Sequence, residues 1–283
     1  MKKFVFIISA LAMYCFVSFS AFGAEKKILK IGTGSKQGVY STIAAPIIKK
    51  NLAGTNLTLE IVPGGSKINL DKLKKKEIEL AIVQFDALLQ ANADIATIGF
   101  LHDEYAHLVV SKKSKINEFS DLNKSHTVAV GPLNAGSRIT WNNFISLDKK
   151  YKDVATLPLR NTRAITALES GEADAYFCVT GLRDKYLMEA SKKKAFTLVE
   201  IDAWAFNNLK YKKRKVYEFF KIDDDVYPGL MPSKLTTAVK SIKLSAVVVC
   251  LGEWADEHEE EFETLAAAVS NALPLIKQKT END

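Results

Sequence analysis

The sequence predicts an α/β protein of two lobes, each a mainly parallel sheet flanked by helices, and three observations support this prediction. Residues 28–84 read as strand, helix, strand, helix, strand with short loops, an order typical of a parallel sheet covered by helices. Residues 127–179 repeat that order. A β-branched run at 236–250 and an amphipathic pattern at 257–277 follow, so the chain is expected to return to the first unit.

The first unit begins with a strand from Ile28 to Gly32 and a glycine-containing loop. The apolar spacing after that loop predicts a helix whose buried face carries Tyr40, Ile43, Ala44, Ile47 and Ile48. Pro46 lies inside this helix, where it removes a backbone hydrogen bond and is expected to kink the axis. Leu57 to Val62 and Leu80 to Gln84 predict two further strands. Between them, Ser66 is expected to cap a helix from Lys67 to Lys76.

The second unit follows a connecting strand predicted at Ala106 to Ser111. Its strands are expected at 127–131, 154–159 and 173–179, with Thr162 capping the helix before the last one. Residues 24–105 with about 236–283 are therefore assigned to lobe 1, and residues 106–235 to lobe 2 with its return connection. Two crossings between the lobes would form a two-strand hinge.

The amino terminus has the pattern of a cleaved secretory signal peptide at residues 1–23. Lys2 and Lys3 precede an uncharged run from residue 4 to 22, and Ala21-Phe22-Gly23 supplies the small residues that signal peptidase requires. A retained membrane anchor is the alternative, because about 20 apolar residues can span a bilayer. The expected location is the periplasm.

Charge and cysteine usage exclude several classes of function. The formal net charge of +6 comes from short scattered basic clusters, and an exported protein would not meet DNA, so no nucleic-acid partner is expected. The four histidines lack metal-ligand spacing, which predicts neither a metal nor another cofactor. Cys178 and Cys250 lie in apolar runs typical of buried thiols, and their pairing stays open.

The loop from Gly32 to Gly38 is not a nucleotide-binding loop. No Lys-Ser/Thr pair follows Gly38, and Gln37 stands where a dinucleotide fingerprint needs its third glycine. The loop does offer backbone amides at a helix start, which attract carboxylate or phosphate. The same feature recurs at Gly65-Ser66, at Gly136-Ser137 and near Thr162. Four such helix starts are expected to border one ligand crevice.

Several short motifs, in their order and spacing, make the chain resemble the TAXI family, the extracytoplasmic solute receptors of TRAP transporters. The motifs are Ile31-Gly32-Thr33-Gly34, Gly38-Val39-Tyr40, Gly64-Gly65-Ser66-Lys67-Ile68-Asn69, Gln84-Phe85-Asp86, Val130-Gly131, Gly136-Ser137, Gly171-Glu172-Ala173-Asp174-Ala175 and Tyr227-Pro228-Gly229. The resemblance runs from about residue 28 to 249. Ser35-Lys36-Gln37 departs from the glycine-rich family loop, and Lys36 adds a charge there.

The resemblance implies a type II periplasmic-binding-protein fold without catalytic activity, and a monomer is expected. It implies capture of a small anionic solute, a carboxylate or acidic amino acid, by hinge closure, and delivery to TRAP permease subunits in the membrane. The ligand-binding residues that it implies are Thr33, Gly34, Gln37, Tyr40, Gly65, Ser66, Gln84, Asp86, Gly136, Ser137, Arg138, Thr162 and Thr180.

Three of these assignments have structural alternatives. Tyr40 could face the core instead of the ligand. Arg138, or Arg163 in its place, could form a bidentate pair with a carboxylate or be a solvated surface residue. Asp86 could bind an ammonium group of the solute or cap the next helix.

Two other functions compete with a TRAP receptor. The same fold serves ABC importers and sensor kinases, so the sequence leaves the membrane partner open. A secreted hydrolase using Ser41 or Ser137 is the competitor from another class. Neither serine lies in a GxSxG motif and neither has a histidine nearby in sequence, which disfavours an enzyme.

Overall fold

The first lobe alternates strand and helix. The computed structural model describes residues 26–202 and 204–281, so the predicted signal peptide at 1–23 lies outside the described residues. The elements of the first lobe are β1 (Lys27–Thr33), a π-helical turn (Tyr40–Ala44) that continues as α1 (Ala45–Asn51), β2 (Leu57–Pro63), α2 (Ser66–Lys74), β3 (Leu80–Gln84) and a 3-10 turn (Phe85–Gln90).

The second lobe is reached through one long strand, β4 (Ile95–Ser111). It contains β5 (Thr127–Ala129), α3 (Gly136–Leu147), β6 (Ala155–Leu157), α4 (Thr162–Ser170), β7 (Ala175–Thr180), α5 (Lys185–Lys193), β8 (Phe196–Leu198), α6 (Trp204–Asn207), the hairpin β9 (Lys210–Tyr211) and β10 (Arg214–Lys215), and β11 (Glu218–Asp223). The chain returns through β12 (Ala238–Leu251) into α7 (Gly252–Glu257) and α8 (Glu259–Glu281).

A single sheet runs through both lobes in the order β2-β1-β3-β12-β4-β7-β5-β6, with β11 beside β12 and β8 beside β4. In lobe 1, β1 pairs in parallel with β2 and β3. In lobe 2, β5 pairs in parallel with β6 and β7. The antiparallel strands β4 and β12 lie between the two parallel groups. The predicted fold class is therefore confirmed.

The hinge is the antiparallel pair of β4 and β12. The first part of β4 pairs with β12, while Tyr105 to Val110 pairs with β7 of lobe 2. On the other strand, Ala238 to Lys243 pairs with β11, and Ala246 to Val249 pairs with β3 of lobe 1. The register of the pair shifts between Ser245 and Val247, where the chain passes from one lobe to the other.

β4 is much longer than the predicted connecting strand at Ala106 to Ser111. The sequence pattern missed residues 95–105 because the polar residues His102, Asp103 and Glu104 interrupt the apolar run. The predicted lobe boundary at 105/106 falls inside β4, and the one near 236 falls just before β12. The division of the chain at these positions stays a prediction.

Pro46 acts differently from the expected kink in the middle of a helix. The backbone before it forms a π-helical turn over Tyr40–Ala44, in which the Ala45 N–H donates to the Tyr40 carbonyl. The α-helix proper begins at Ala45, so the proline occupies its first turn. A proline lacks an N–H, and the first turn of a helix is where that donor is not needed. The irregularity therefore falls on the turn that carries Tyr40.

Two predicted helix caps are wrong. Ser66 and Thr162 are the first residues of α2 and α4, and the positions before them are Gly65 and Asn161, without a side-chain cap. The Ser66 hydroxyl instead accepts a hydrogen bond from the Gln84 N–H. Serine is used here to join a helix start to a strand end.

The core extends across the junction of the lobes. A cluster of buried aromatic side chains from lobe 2, including Phe119, Trp141 and Phe144, is continuous with Val83 and Phe85 of lobe 1. Separate clusters fill the rest of each lobe. The lobes therefore share apolar packing on one side of their junction, which restricts the opening between them to the other side.

The thiols of Cys178 and Cys250 are both free and buried. Within residues 26–202 and 204–281, no helix combines the length and hydropathy needed to cross a membrane. The same residues contain no group of three or more His, Cys, Asp or Glu side chains placed to hold a metal ion.

Candidate functional site

A cleft of about 930 Å³ opens between the lobes. In lobe 1, Gly34 follows β1 and Gln84 ends β3, and in lobe 2, Gly131 lies just after β5 and Thr180 ends β7. All four residues line the cleft, so both parallel groups direct their carboxyl ends at it. The structure brings nine of the predicted site residues together in its lining. They are Gly34, Gln37, Tyr40, Gly65, Ser66, Gln84, Gly136, Ser137 and Thr180.

One helix start from each lobe is fixed at the cleft by a serine. The Ser66 Oγ in the first turn of α2 accepts from the Gln84 N–H at 3.2 Å. The Ser137 Oγ in the first turn of α3 accepts from the Val179 N–H at 2.9 Å. Backbone amides of a first helical turn have no partner within the helix and present partial positive charge. These two starts can therefore bind an anionic group of a solute.

The lobes approach each other closely at two glycines of the lining. A Cβ atom at Gly136 of lobe 2 would overlap the side chain of Gln84 of lobe 1. A Cβ at Gly65 of lobe 1 would lie 2.8 Å from the Asn134 carbonyl oxygen of lobe 2. Both positions need glycine because any side chain would hold the lobes apart.

The floor of the cleft carries an acid that the sequence analysis did not select. Glu104 of β4 lines the cleft, and its Oε2 accepts from the Tyr40 hydroxyl at 2.8 Å. Burial, together with the negative charge of Asp86, raises the Glu104 pKa to about 7. Tyr40 is thus both a buried helix residue and a member of the lining, and its contact with a ligand stays a prediction.

His102 lies beside this pair, two residues earlier on the same strand. Its ring makes an edge contact with the Tyr40 ring, with the centroids 5.7 Å apart. Burial lowers the His102 pKa to about 4, so the imidazole is neutral at physiological pH. The polar run at 102–104 inside a strand was the available sequence signal for both residues. This polar run could have been recognised as a candidate site, because strands that pack in a core rarely carry charged groups without a function.

Thr33 and Arg138 lie in the interior, outside the lining of the cleft. The Thr33 hydroxyl is fully buried and pairs with the Ser41 hydroxyl at 2.7 Å. The Arg138 guanidinium turns back to its own lobe, where Nε and Nη2 donate to the Gly131 carbonyl and Nη1 donates to the Thr156 hydroxyl. This arginine therefore holds the loop after β5 and is not positioned to pair with a solute carboxylate.

Asp86 is also outside the lining, and it does not cap the following turn. Its side chain is fully buried at the junction of the lobes, where Oδ2 accepts from the Thr140 hydroxyl at 2.6 Å and from the Tyr217 hydroxyl at 2.8 Å. The Asn143 amide donates to the Asp86 backbone carbonyl at 3.2 Å. All three partners belong to lobe 2. Burial raises the Asp86 pKa to about 6.

Thr162 is exposed and lies outside the lining, as does the alternative arginine, Arg163. The cations that do line the cleft are at its rim: Lys36, Arg160, Arg183, Lys185 and Lys279. Arg183 pairs there with Asp225 at 2.9 Å. The cleft thus combines a basic rim with an acidic floor.

The paired crossing strands, the two parallel groups and the cleft between them define the two-lobed periplasmic-binding-protein fold of type II. The chain belongs to the NMT1-like family, whose model matches residues 31–258. No curated protein sequence is significantly similar to it.

Several solved structures are similar in fold. The aliphatic sulphonate binding protein SsuA from Escherichia coli has 16% identity and a TM-score of 0.52, covering 89% of this chain and 75% of its own. A putative sulfonate-binding SsuA from Methylobacillus flagellatus has 14% identity and a TM-score of 0.54, with coverages of 90% and 72%. The substrate binding protein of an amino acid ABC transporter has 14% identity and a TM-score of 0.53, with coverages of 91% and 100%.

Proposed function

We propose that this chain is a periplasmic solute receptor, which captures a small polar solute between its lobes by hinge closure and passes it to a membrane importer. The observation that carries the proposal is the cleft of about 930 Å³, which is lined by loops and helix starts of both lobes. Its volume is in the range typical of small-molecule sites. β4 and β12 supply the connection about which the lobes would rotate.

The first turns of α2 and α3, with the cations of the rim, support a solute that carries an anionic group. A carboxylate and a sulphonate both satisfy this chemistry. The similar structures point in the same direction, since they include two sulphonate-binding proteins and the substrate binding protein of an amino acid ABC transporter. Of the thirteen ligand-binding residues implied by the sequence, the nine in the lining are retained in this proposal.

The membrane partner that we favour is an ABC-type importer. Two of the similar structures are binding proteins of ABC transporters, whereas the TRAP assignment rests on the short motifs of the sequence alone. The neighbouring genes test this choice. An adjacent ATPase and permease would support the ABC importer, a TRAP permease gene would favour the TAXI resemblance, and a sensor kinase would replace import with signalling.

The two serines considered for a hydrolase are engaged in structural hydrogen bonds. Ser41 pairs with Thr33 and donates to the Gly34 carbonyl, and Ser137 accepts from the Val179 N–H. Neither has a histidine as a hydrogen-bond partner among the described residues, which a serine nucleophile would need for activation. This arrangement supports binding without catalysis.

A thermal-shift panel of carboxylates, sulphonates and amino acids tests the receptor function. A solute present at about 100 times its dissociation constant should add about 2.7 kcal/mol to the free energy of unfolding, because it binds the folded state alone. The expected result is a shift for one chemical class, with its size increasing with solute concentration. A flat response across all three classes would contradict the proposal.

A further inference from the structure

We propose that the floor of the cleft at Glu104 is a subsite for a protonated amino group, so that the solute is a zwitterion or another amine-bearing anion. This inference rests on the proposed receptor function. It adds a second recognition element to the anion-binding helix starts, placed on β4 of the hinge.

The polar side chains of the floor have acceptor atoms to which the described residues of the protein supply too few hydrogen-bond donors. The Glu104 Oε2 accepts from the Tyr40 hydroxyl, and the Gln84 side chain lies close enough to Glu104 to lower the pKa of that carboxyl. Gln84 is 4% exposed and His102 is 2% exposed, yet the Gln84 Oε1 and the His102 Nδ1 have no hydrogen-bond partner. Both residues line the cleft. Buried acceptors are rarely left unsatisfied, so these atoms indicate a missing donor group.

Within residues 26–202 and 204–281, no cation of the protein pairs with Glu104 on this floor. Among the described residues Glu104 forms no ion pair, whereas the neighbouring Asp103 is paired with Lys243 at 2.8 Å. Arg138 is engaged by Gly131 and Thr156, and the cations in the lining stand at the exposed rim. Glu104 is half-buried, and a carboxylate partly removed from water without a cation is costly, so desolvation raises the pKa of Glu104.

A primary ammonium group matches these requirements. It brings a positive charge for the carboxylate of Glu104 and further N–H donors for unpaired polar atoms beside it, the Gln84 Oε1 and a ring nitrogen of His102. The neutral imidazole of His102 can accept without repelling the cation. A solute without an amino group would leave these acceptors unsatisfied in the closed cleft.

Binding of an ammonium group should depend on the ionisation of Glu104. The groups that face it are Tyr40 from the π-helical turn, Asp86 after β3, and His102 and Asp103 on β4 itself. Lys243 of β12 is engaged by Asp103. Since Tyr40 stays protonated and His102 neutral near pH 7, Glu104 is the group whose charge changes there, and affinity for an amine should rise as pH increases through about 7.

Calorimetric titration with matched solute pairs tests the inference. Suitable pairs are taurine with ethanesulfonate, glutamate with glutarate, and alanine with propionate, in which the second member lacks the amino group. The amine-bearing member of at least one pair should bind about tenfold tighter or more, because hydrogen bonds to charged groups contribute that much. Glu104→Gln should abolish this preference, while Glu104→Asp should retain part of it.

Glu172→Gln, at an exposed position outside the cleft, is the matched control and should keep the wild-type preference. If the deaminated members bind as tightly as the amines, or if Glu104→Gln keeps the preference, the amine subsite is wrong and the receptor function stands. If no member of any pair binds the wild-type protein, the receptor function proposed for this cleft is wrong as well.

Discussion

Asp86 and Glu104 are two carboxylates of lobe 1, the first fully buried and the second half-buried, and they differ in what surrounds them. Asp86 lies at the sealed part of the junction, and its side-chain partners Thr140 and Tyr217 come from lobe 2. Glu104 lies on the cleft floor, and its partner Tyr40 comes from its own lobe. Burial raises the pKa of both groups, to about 6 and about 7.

The difference shows what decides whether a buried acid is structural or is available to a ligand. Where lobe 2 reaches the carboxylate, its hydroxyls provide the hydrogen bonds and exclude water. Where lobe 2 stands away, the carboxylate keeps an open side that a solute can occupy. A raised pKa is shared by both acids and does not distinguish them.

We expect the largest effect in the free energy of unfolding, when each acid is replaced by alanine in one variant and by its amide in another. Asp86→Ala should be less stable than Asp86→Asn by about 3 kcal/mol, because alanine leaves the buried Tyr217 hydroxyl without its acceptor, leaves Thr140 only its longer bond to the Gly136 carbonyl, and opens a small cavity. Both variants are neutral, so the comparison excludes the charge. Urea unfolding at one pH measures it.

Glu104→Ala and Glu104→Gln should differ in their free energy of unfolding by less than about 1 kcal/mol. Water in the cleft can accept from the Tyr40 hydroxyl in place of the lost side chain. If the alanine and amide variants differed in stability by the same amount at position 86 and at position 104, the junction and the cleft floor would not differ as described.

The pH dependence of stability should be the next largest effect. The folded-state pKa of Asp86 is raised, so the folded protein binds a proton more tightly than the unfolded chain, and stability must fall as pH rises from about 4 to about 6. A shift of about two units corresponds to at most about 3 kcal/mol. Asp86→Asn should remove this decline from the solute-free protein.

The pKa of Glu104 is raised further, so its ionisation should lower the free energy of unfolding as pH rises from about 4.5 to about 7. Glu104→Gln should remove this decline. Urea unfolding at several pH values separates the two contributions. The assigned ionisations would be contradicted if the stability of the wild-type protein rose with pH in both windows and both amide variants showed the same pH dependence.

The sequence allowed the α/β fold, the order of its elements and the helix starts at the cleft to be predicted. These features depend on local spacing and on glycines at strand ends and helix starts, as at Gly34 after β1 and Gly136 at the start of α3. The roles of Asp86 and Arg138 could not be predicted, because each is set by partners distant in sequence, such as Tyr217 and Thr156. Motif position placed both near the cleft but gave no information on side-chain direction.

Glu104 was missed for a related reason. It lies in the middle of β4, and a strand that crosses between lobes does not follow the apolar pattern by which strands are recognised. Its position on the cleft floor results from the pairing of β4 with β12, which places Glu104 opposite Leu244. Such long-range pairing is invisible to a local reading of the sequence.

Native mass spectrometry of the purified protein, with a variant that places a large side chain in the cleft, tests the central claim most directly. Gly34→Trp is suited to this purpose, because a Cβ at Gly34 would meet only Tyr40 atoms at 3.7 Å or more. Leu235→Trp, at a position that is 92% exposed, is the control. We predict one small molecule bound per wild-type and control chain, released unaltered on denaturation, and none on Gly34→Trp. Equal binding to Gly34→Trp, or release of a chemically altered molecule, would contradict a receptor that traps its solute between the two lobes.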